Sequence, residues 1–394
     1  MPEPAALSEA DVQAAQRRTV ATLASGQVLT GVAFGATLSL GALLAADLSG
    51  QEALSGFATA SVTLGAALTA IPLARLAGAR GRRFALTTGN LAALAGIVIV
   101  VAAAGLRIFP LLLVGIALIG AGNAGTLQSR FAATDLATPR RRGRDLSIVV
   151  WATTVGGVVG PLLLAPGELI GAGVGMPPLT GAYLFSFAAQ ALAFALYVLA
   201  LRPDPLLLAQ RVARQHVAGG VATPDEADQP AIARFAMFAV AASHVTMAAV
   251  MAMTPVHLSH VVVPEAVTLA VGVTIAVHVF GMYGFSPVFG LLSDRVGRGR
   301  VLAVSISVMA VGLVVSLPDW LPSTLLGILL FTGGFFGAHS TASGWGGARA
   351  KAHRAEASSL YLFGYYLGSS IVGALGGIAF SAFGWAGIVV HTGV

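Results

Sequence analysis

Methionine and histidine side chains recur at helical spacing in two apolar stretches of the second half of the sequence. The first stretch carries His244, Met247 and Met251, and the second carries His278 and Met282. Residues three or four apart share one face of an α-helix, with Cβ atoms about 5 to 6 Å apart. Thioether sulfur and neutral imidazole are soft ligands that favour Cu(I), whereas Mg²⁺ and Ca²⁺ prefer oxygen. The spacing therefore predicts a soft-metal site formed by these five residues.

The same stretches also admit a cavity for an organic solute. Methionine is a common filler of apolar helices, and no acidic residue falls near the middle of an apolar stretch. Four more residues are candidates for hydrogen bonding or stacking with such a solute: Asn123, Gln128, Trp151 and His339. Both hypotheses stay open at this level.

Motifs of enzymes are missing from the sequence, which contains neither His-Glu-x-x-His nor Gly-x-Ser-x-Gly. The pattern Gly120-Ala-Gly122-Asn-Ala-Gly125 matches a nucleotide-binding motif in letters. It lies inside an apolar stretch without a preceding strand, and therefore indicates helix packing. We expect a protein that is not an enzyme, with no catalytic residues and no resident cofactor.

Composition places these stretches in a membrane. Of the 394 residues, 56% are hydrophobic and only 10% are charged, and the mean hydropathy is +0.85. In a water-soluble domain about a quarter of the residues are charged, whereas helices that face lipid need almost no charged residues. The sequence also has 49 glycines, which suit close helix packing in a bilayer, and it has no cysteine, which excludes disulfides and thiolate metal sites.

A window of about 20 residues, the length that crosses roughly 30 Å of hydrocarbon, identifies the membrane spans. They cover residues 19–45, 53–74, 84–106, 108–129, 146–165, 180–201, 232–256, 266–292, 301–318, 321–342 and 358–382. Another apolar segment begins at Gly384, but the helical rise from there to Val394 is only about 16 Å. We therefore expect a twelfth helix that is truncated.

Basic residues mark one side of the membrane. Of 22 Lys and Arg residues, 21 fall on alternate loops of the span pattern, and Arg107 is the exception. The positive-inside rule places those loops in the cytoplasm. The polar N-terminus precedes a span too long for a signal-peptide core, so no cleaved signal is expected. These features predict a multi-pass protein of a bacterial inner membrane with a cytoplasmic N-terminus, and they account for the pI near 10.3 without a nucleic-acid partner.

The chain divides into two blocks of spans. Residues 1–201 form the first, residues 232–394 form the second, and residues 202–231 form a polar linker with little hydrophobic periodicity. In each block an arginine-rich loop follows the second span, LARLAGARGRR in the first block and GLLSDRVGRGR in the second. Recurrence of this loop at the same place indicates an internal repeat.

The two loops resemble the signature G-x-L-x-D-R-x-G-R-R of the major facilitator superfamily. The second copy matches it at Gly290, Asp294, Arg295, Gly297 and Arg298. The resemblance implies an all-α major facilitator fold of six plus six transmembrane helices, with inverted repeats and transport by alternating access. It also implies that these residues form a latch at the cytoplasmic end of the bundle.

The first copy of the loop departs from the signature. Ala74 stands in place of the leading glycine and Gly78 in place of the aspartate, while Gly81, Arg82 and Arg83 remain. The resemblance implies that Arg82 and Arg83 take part in the latch. Arginines in a tight loop also fix orientation without any gating, and that interpretation stays open for this copy.

A second resemblance bears on the cargo. The segments Met247-Ala-Ala-Val-Met251 and His278-Val-Phe-Gly-Met282 are similar to motifs in spans 7 and 8 of the CcoA-like copper importers. This resemblance implies uptake of Cu(I), with copper as the cargo. The partners expected are therefore Cu(I) or another small-molecule substrate and the lipid bilayer, without nucleic acid or an obligatory protein partner.

An alternative cargo follows from the fifth span. Gly156-x-x-x-Gly160-Pro161 is similar to the core of the antiporter motif of drug exporters. That resemblance implies proton-coupled efflux of small organic molecules. The same residues also suit close helix packing with a proline kink, so the motif alone does not decide the cargo.

Overall fold

The computed structural model describes residues 8–138, 141–215, 230–285, 288–289, 292, 295–349 and 354–393. These residues form helices, and no strand occurs among them. The helices are α1 (Glu9–Ser49), α2 (Gly56–Arg80), α3 (Arg82–Leu106), α4 (Phe109–Ala132), α5 (Arg142–Leu162), α6 (Leu164–Gly173), α7 (Ala182–Ala200), α8 (Pro205–Gln215), α9 (Pro230–Val261), α10 (Val267–Gly284), α11 (Arg298–Val315), α12 (Leu321–Arg349) and α13 (Arg354–Gly393). Short 3₁₀ turns, Glu52–Leu54 and Pro264–Ala266, precede α2 and α10.

Within the described residues, 11 helices are long and apolar enough to cross a membrane. Each overlaps one of the predicted spans, so the predicted all-α multi-pass architecture is confirmed. The first of them extends well beyond its apolar window. The hydroxyl of Ser8 accepts a hydrogen bond from the backbone N–H of Asp11, and this N-cap begins the helix at Glu9 instead of near residue 19.

Two segments outside the predicted spans are also helical. Within the predicted linker, residues 205–215 form α8, which the sequence pattern did not indicate, and the stretch between the fifth and sixth spans is largely α6. The carboxylate of Glu168 accepts hydrogen bonds of 2.8 Å from the backbone N–H groups of Leu179 and Gly181. Glu168 therefore ties α6 to the start of α7.

The last helix changes direction at Gly384, where φ is 64°. The turns that follow correspond to the segment predicted to start there. The Trp385 ring stacks on His257 with centroids 4.3 Å apart, and its Nε1 donates a 2.8 Å hydrogen bond to the backbone oxygen of Ser316. These contacts hold the segment against the bundle.

The helices pack as two bundles. In the first, α1 packs against α5 and α7, and α4 packs against α2 and α3; in the second, α9 packs against α12 and α13, and α11 packs against α12. A Cβ atom on Gly156 would overlap the backbone of Val28, and one on Gly160 would overlap that of Val32. Gly120 approaches the backbone of α2 in the same way. The packing interpretations of both glycine motifs are therefore confirmed.

The two bundles, called the first and second half below, meet along α2 against α13 and along α5 against α10. We call this contact the seam. The arginine-rich end of the molecule carries residues 80–83, 141–144 and 295–300, and the opposite end carries residues 49–55, 163–181 and 262–266.

Hydrogen bonds across the seam lie toward the opposite end. Between residues that the structure describes, there are three: His260 Nε2 with Glu52 Oε1 at 2.6 Å, Ser55 Oγ with Met253 Sδ at 3.6 Å, and Thr63 Oγ1 with Ser370 Oγ at 2.7 Å. Beside them, α2 and α13 approach at glycines of both helices. These contacts hold the halves together at the opposite end in this conformation.

One glycine of each arginine-rich loop has similar backbone angles. Gly81 has φ 93° and ψ 165° immediately before α3, and Gly297 has φ 92° and ψ 142° immediately before α11. Only glycine adopts this region without strain. The shared conformation of these two glycines agrees with the internal repeat that the sequence indicates.

Candidate functional site

The methionine and histidine residues of the predicted metal site lie inside the second half. Met251 and His278 are each 2% exposed, and His244 is 5% exposed. Met247 and Met282 are partly buried and pack against the same core. With a rise of 1.5 Å per residue, Met251 and His278 both lie about 15 to 17 Å from the opposite end of their helices. The two motifs are therefore at the same depth, near the middle of the bundle.

The two helices that carry the motifs, α9 and α10, pack mainly on other helices and not on each other. Helix α9 packs against α12 and α13, whereas α10 packs against α5 and α12. Met251 Sδ lies 3.9 Å from Thr254 Oγ1 on its own helix, and His278 Nδ1 lies 2.8 Å from Thr332 Oγ1 on α12. Among the His, Asp and Glu side chains of the described residues, no group of three is placed to hold a metal. A metal site here would depend on methionine sulfur.

The contact with Thr332 orients the His278 ring. A hydrogen bond at one ring nitrogen fixes which nitrogen is free to bind a ligand. In the tautomer whose Nδ1–H donates to Thr332 Oγ1, Nε2 is the atom of His278 that can accept a proton donor or a soft metal ion.

Three rings form a second cluster, between α9 and α12. The centroids of His244 and Phe335 are 6.0 Å apart, those of His244 and His339 are 6.1 Å apart, and those of Phe335 and His339 are 5.4 Å apart. Phe335 and His339 are four residues apart and share one face of α12. We call these three residues the ring cluster; it combines an apolar ring with two imidazoles.

The other candidate cavity residues are dispersed. Gln128 is buried, and its Oε1 accepts a 2.7 Å hydrogen bond from Arg82 Nη1, so it is engaged by protein. Trp151 is 56% exposed on α5, and Asn123 is half-buried on α4. Of the four, only His339 belongs to the ring cluster.

The first arginine-rich loop is fastened within its own half. Arg82 binds the carboxylate of Asp135, with Nε–Oδ2 and Nη2–Oδ1 distances of 3.0 and 3.3 Å. The backbone N–H of Arg83 donates a 2.7 Å hydrogen bond to Asp204 Oδ2. A Cβ atom on Gly81 would collide with that carboxylate, whereas Gly78 has open space around it.

Asp204 is a residue that the sequence analysis did not single out. Its Oδ1 accepts hydrogen bonds from the backbone N–H groups of Leu206 and Leu207, at 3.0 and 3.2 Å, and so caps α8. One carboxylate therefore binds the first turns of both α3 and α8, next to a loop whose own aspartate is replaced by Gly78. The Asp-Pro pair before α8 is the available sequence signal, because an aspartate followed by proline is a common helix start.

The second arginine-rich loop is only partly described. Gly290 and Asp294 lie outside the described residues, so their predicted part in a latch stays a prediction. Arg295, Gly297 and Arg298 are exposed at the arginine-rich end.

Comparison with known proteins supports the same architecture. The model of the Major Facilitator Superfamily matches residues 23–272. The chain belongs to the major facilitator superfamily. An uncharacterised MFS-type transporter of Bacillus subtilis, YddS, is 34% identical over 323 residues, which cover 80% of this chain and 72% of the relative. The riboflavin transporter RfnT of Brucella anthropi is 37% identical over 153 residues, 38% of each protein.

Solved structures of the superfamily share the fold. The xylose transporter XylE of Escherichia coli, in a partially occluded inward open conformation, superposes with a TM-score of 0.67 at 16% identity, over 96% of both chains. A bacterial homolog of the human lysosomal transporter Spinster gives a TM-score of 0.66 at 18% identity, over 92% of this chain and 82% of that one. The predicted major facilitator fold is therefore confirmed, and this member of the superfamily is a membrane transporter, not an enzyme.

Proposed function

We propose that this transporter carries a small organic solute, bound between the halves at the ring cluster. The observation that supports the proposal is the placement of two imidazoles and a phenyl ring within 6.1 Å of one another on α9 and α12. Sites for organic ligands are lined by apolar and aromatic side chains with a few hydrogen-bonding groups among them, and this cluster supplies both. Efflux is the direction implied by the resemblance of the Gly156–Pro161 motif to drug exporters.

One of the named relatives has an organic cargo. RfnT is a riboflavin transporter, and the stretch that matches it covers 38% of this chain. Riboflavin combines a flat ring system with hydroxyl groups, so it is a reasonable first probe for a site built from rings and imidazoles.

Uptake of Cu(I) is the second candidate, and one observation favours it. Met251 and His278 lie at the same depth, and Thr332 orients the His278 ring so that Nε2 is the free ligand atom. Methionine sulfur and imidazole suit Cu(I). None of the named relatives is described as a copper transporter, which leaves the organic solute as the first proposal.

Flux measurements separate the two cargoes. The purified full chain in liposomes should exchange riboflavin or another ring-containing solute, and Phe335→Ala should lower that flux by about tenfold, because each aromatic contact contributes roughly 1 kcal/mol or more. Met251→Ala should leave it within about twofold of the native rate, since a thioether contact contributes less.

The copper arm uses Ag(I), which shares the ligand preference of Cu(I). Met253 is the matched control for Met251, because both are buried methionines of α9 and Met253 lies 3.6 Å from Ser55 Oγ, away from His278. Ag(I) flux that disappears in Met251→Ala and His278→Ala, survives in Met253→Ala, and occurs without any organic flux would replace the first proposal with the second.

We also propose that the arginine-rich end faces the cytoplasm of a bacterial inner membrane. The charge distribution supports this orientation. A phosphatase reporter, which is active only outside the cytoplasm, should be inactive when fused near residue 220 and active when fused at Gly173. The reverse labelling would invert the orientation and leave the fold unchanged.

A further inference from the structure

Arg130 lies in the last turn of α4, at the arginine-rich end of the first half. The side chain is half-buried, and its Nε is enclosed without a hydrogen-bond partner among the described residues. A buried donor without an acceptor costs about 1 to 3 kcal/mol. Native structures therefore pair such groups, with protein or with a bound molecule.

The nearby carboxylates are engaged elsewhere. Asp135 is bound by Arg82 through two hydrogen bonds, and Asp145 accepts a 2.7 Å hydrogen bond from Gln16 Nε2. Arg82 also binds Gln128 and lies 5.6 Å from the centroid of the Phe131 ring. Arg82, an arginine of the same end, is therefore paired within the protein, whereas the buried Nε of Arg130 has no hydrogen-bond partner among the described residues.

Arg130, in the first half, lies at about the level of the ring cluster in the second half. Its charge interacts electrostatically with His339 on α12, and the His339 ring lies close to those of Phe335 and His244. At 1.5 Å per residue, Arg130, His339 and His244 all lie about 25 to 32 Å from the opposite end of their helices. A cation of the first half and a ring surface of the second half therefore lie at one level of the bundle.

The position also suits a positive charge. The C-terminal end of a helix carries a partial negative charge that stabilises a cation, by about 0.3 to 1 kcal/mol at exposed sites. This effect explains why arginine is tolerated in the last turn of α4. It does not supply an acceptor for Nε, because helix carbonyls at this position lie along the axis and no bond from Arg130 to them is present among the described residues.

We propose that Arg130 binds the anionic group of the transported solute, a carboxylate being the best geometric match to the guanidinium fork. This assignment rests on the proposed function, because the ring cluster would hold the body of the same solute. A solute that bridges Arg130 and the ring cluster contacts both halves, and so its binding energy depends on their relative position. The substrate class is then an organic anion that carries a ring.

The first test needs no ligand. In the purified full chain, Arg130→Gln should leave the melting temperature unchanged or raise it, because losing the unpartnered donor Nε outweighs losing the interaction with the end of α4. Arg82→Gln is the matched control, an arginine of the same end that is paired with Asp135; it should lower the melting temperature. A large loss of stability in Arg130→Gln would show a structural role and overturn the assignment.

The second test pairs each anion with a neutral partner: benzoate with benzamide and naphthoate with naphthamide, which have nearly the same shape, and flavin mononucleotide with riboflavin, which lacks the phosphate. In the native chain, at least one anion should raise the melting temperature more than its neutral partner. Arg130→Gln should weaken the binding of that anion by about ten- to hundredfold, and Arg130→Lys should weaken it by less. Arg18 is an exposed arginine of the same end, and the control substitution Arg18→Gln should leave anion binding unchanged.

The outcomes separate this assignment from the function on which it rests. Equal binding of anions and neutral partners, or an anion preference that survives Arg130→Gln, would overturn the assignment and leave the organic solute in place. A preference for flavin mononucleotide alone would mean that the site takes a phosphate instead of a carboxylate and would correct the proposed class. If Ag(I) stabilises the protein and none of the six organic probes does, both the assignment of Arg130 and the proposed organic cargo would be overturned.

Discussion

Joining Thr63 and Ser370 through a disulfide should stop transport. These residues belong to different halves, on α2 and α13, and their hydroxyl oxygens are 2.7 Å apart. Two cysteines there place their sulfur atoms close to bonding distance. The native chain has no cysteine, so the double variant Thr63→Cys with Ser370→Cys contains a single possible disulfide. Alternating access requires the opposite end to open, and the disulfide prevents it.

The measurement is flux in liposomes before and after reduction. The flux through the oxidised double variant should be lower than the native flux by about tenfold or more, and incomplete oxidation sets the limit. A reducing agent should restore the flux. Each single-cysteine variant is the control for loss of the hydroxyl. A cross-linked protein, verified by mass spectrometry, that transports at the native rate would show that this end of the seam does not open during transport.

Hydropathy was sufficient to predict the membrane spans. A helix that crosses lipid needs about 20 apolar residues and satisfies its own backbone hydrogen bonds, so each span is a local property of the sequence. The arginine-rich loops were also predictable from local sequence, because the residues around Gly81 and Gly297 are similar. The start of α1 was harder, since it depends on the N-cap at Ser8 in a segment of ordinary polarity.

Long-range contacts were not predictable from the sequence. The hydrogen bond between Arg83 and Asp204 joins residues 121 positions apart, and nothing local indicates that the start of the linker returns to the first loop. Gln128 illustrates the opposite case. A polar residue in an apolar span suggests a cavity, but the partner that occupies it, Arg82, lies on another helix.

The predicted metal site shows what residue spacing can predict: which residues share a helix face, but not which helices are neighbours. Spacing placed Met247 with Met251 and His278 with Met282 on two helix faces, and their depth agrees with a shared site. Which helices lie side by side is a property of the bundle. Helix α12 packs against both α9 and α10, and it brings His339 and Phe335 to His244. The sequence identified His339 only as an isolated polar residue.

Two glycines with similar surroundings should respond differently to the same substitution. Gly156 on α5 packs against the backbone of Val28 on α1, inside the first half, and Gly272 on α10 packs against the backbone of Pro161 on α5, across the seam. A Cβ atom at either position would overlap backbone, which cannot move aside as a flexible side chain does. Only the second contact joins the two halves.

Gly156→Val should destabilise the fold, because overpacking inside a bundle costs about 1 to 3 kcal/mol or more, and both the melting temperature and the amount of protein in the membrane should fall. Gly272→Val should leave these close to native, since the halves can separate at this point without unfolding. Transport should nevertheless fall, because the opposite end can no longer close as it does in this conformation.

Accessibility of a cysteine at residue 63 measures that change directly. In the native background, Thr63→Cys should react slowly with a membrane-impermeant maleimide, since α13 covers it and Ser370 lies against it. Combined with Gly272→Val, the same cysteine should react faster, by about tenfold if the fraction of molecules open at this end rises tenfold, because only those molecules react. Equal losses of melting temperature in Gly156→Val and Gly272→Val, with no change in labelling, would mean that the seam is a fixed contact of the fold and that the halves move about some other line.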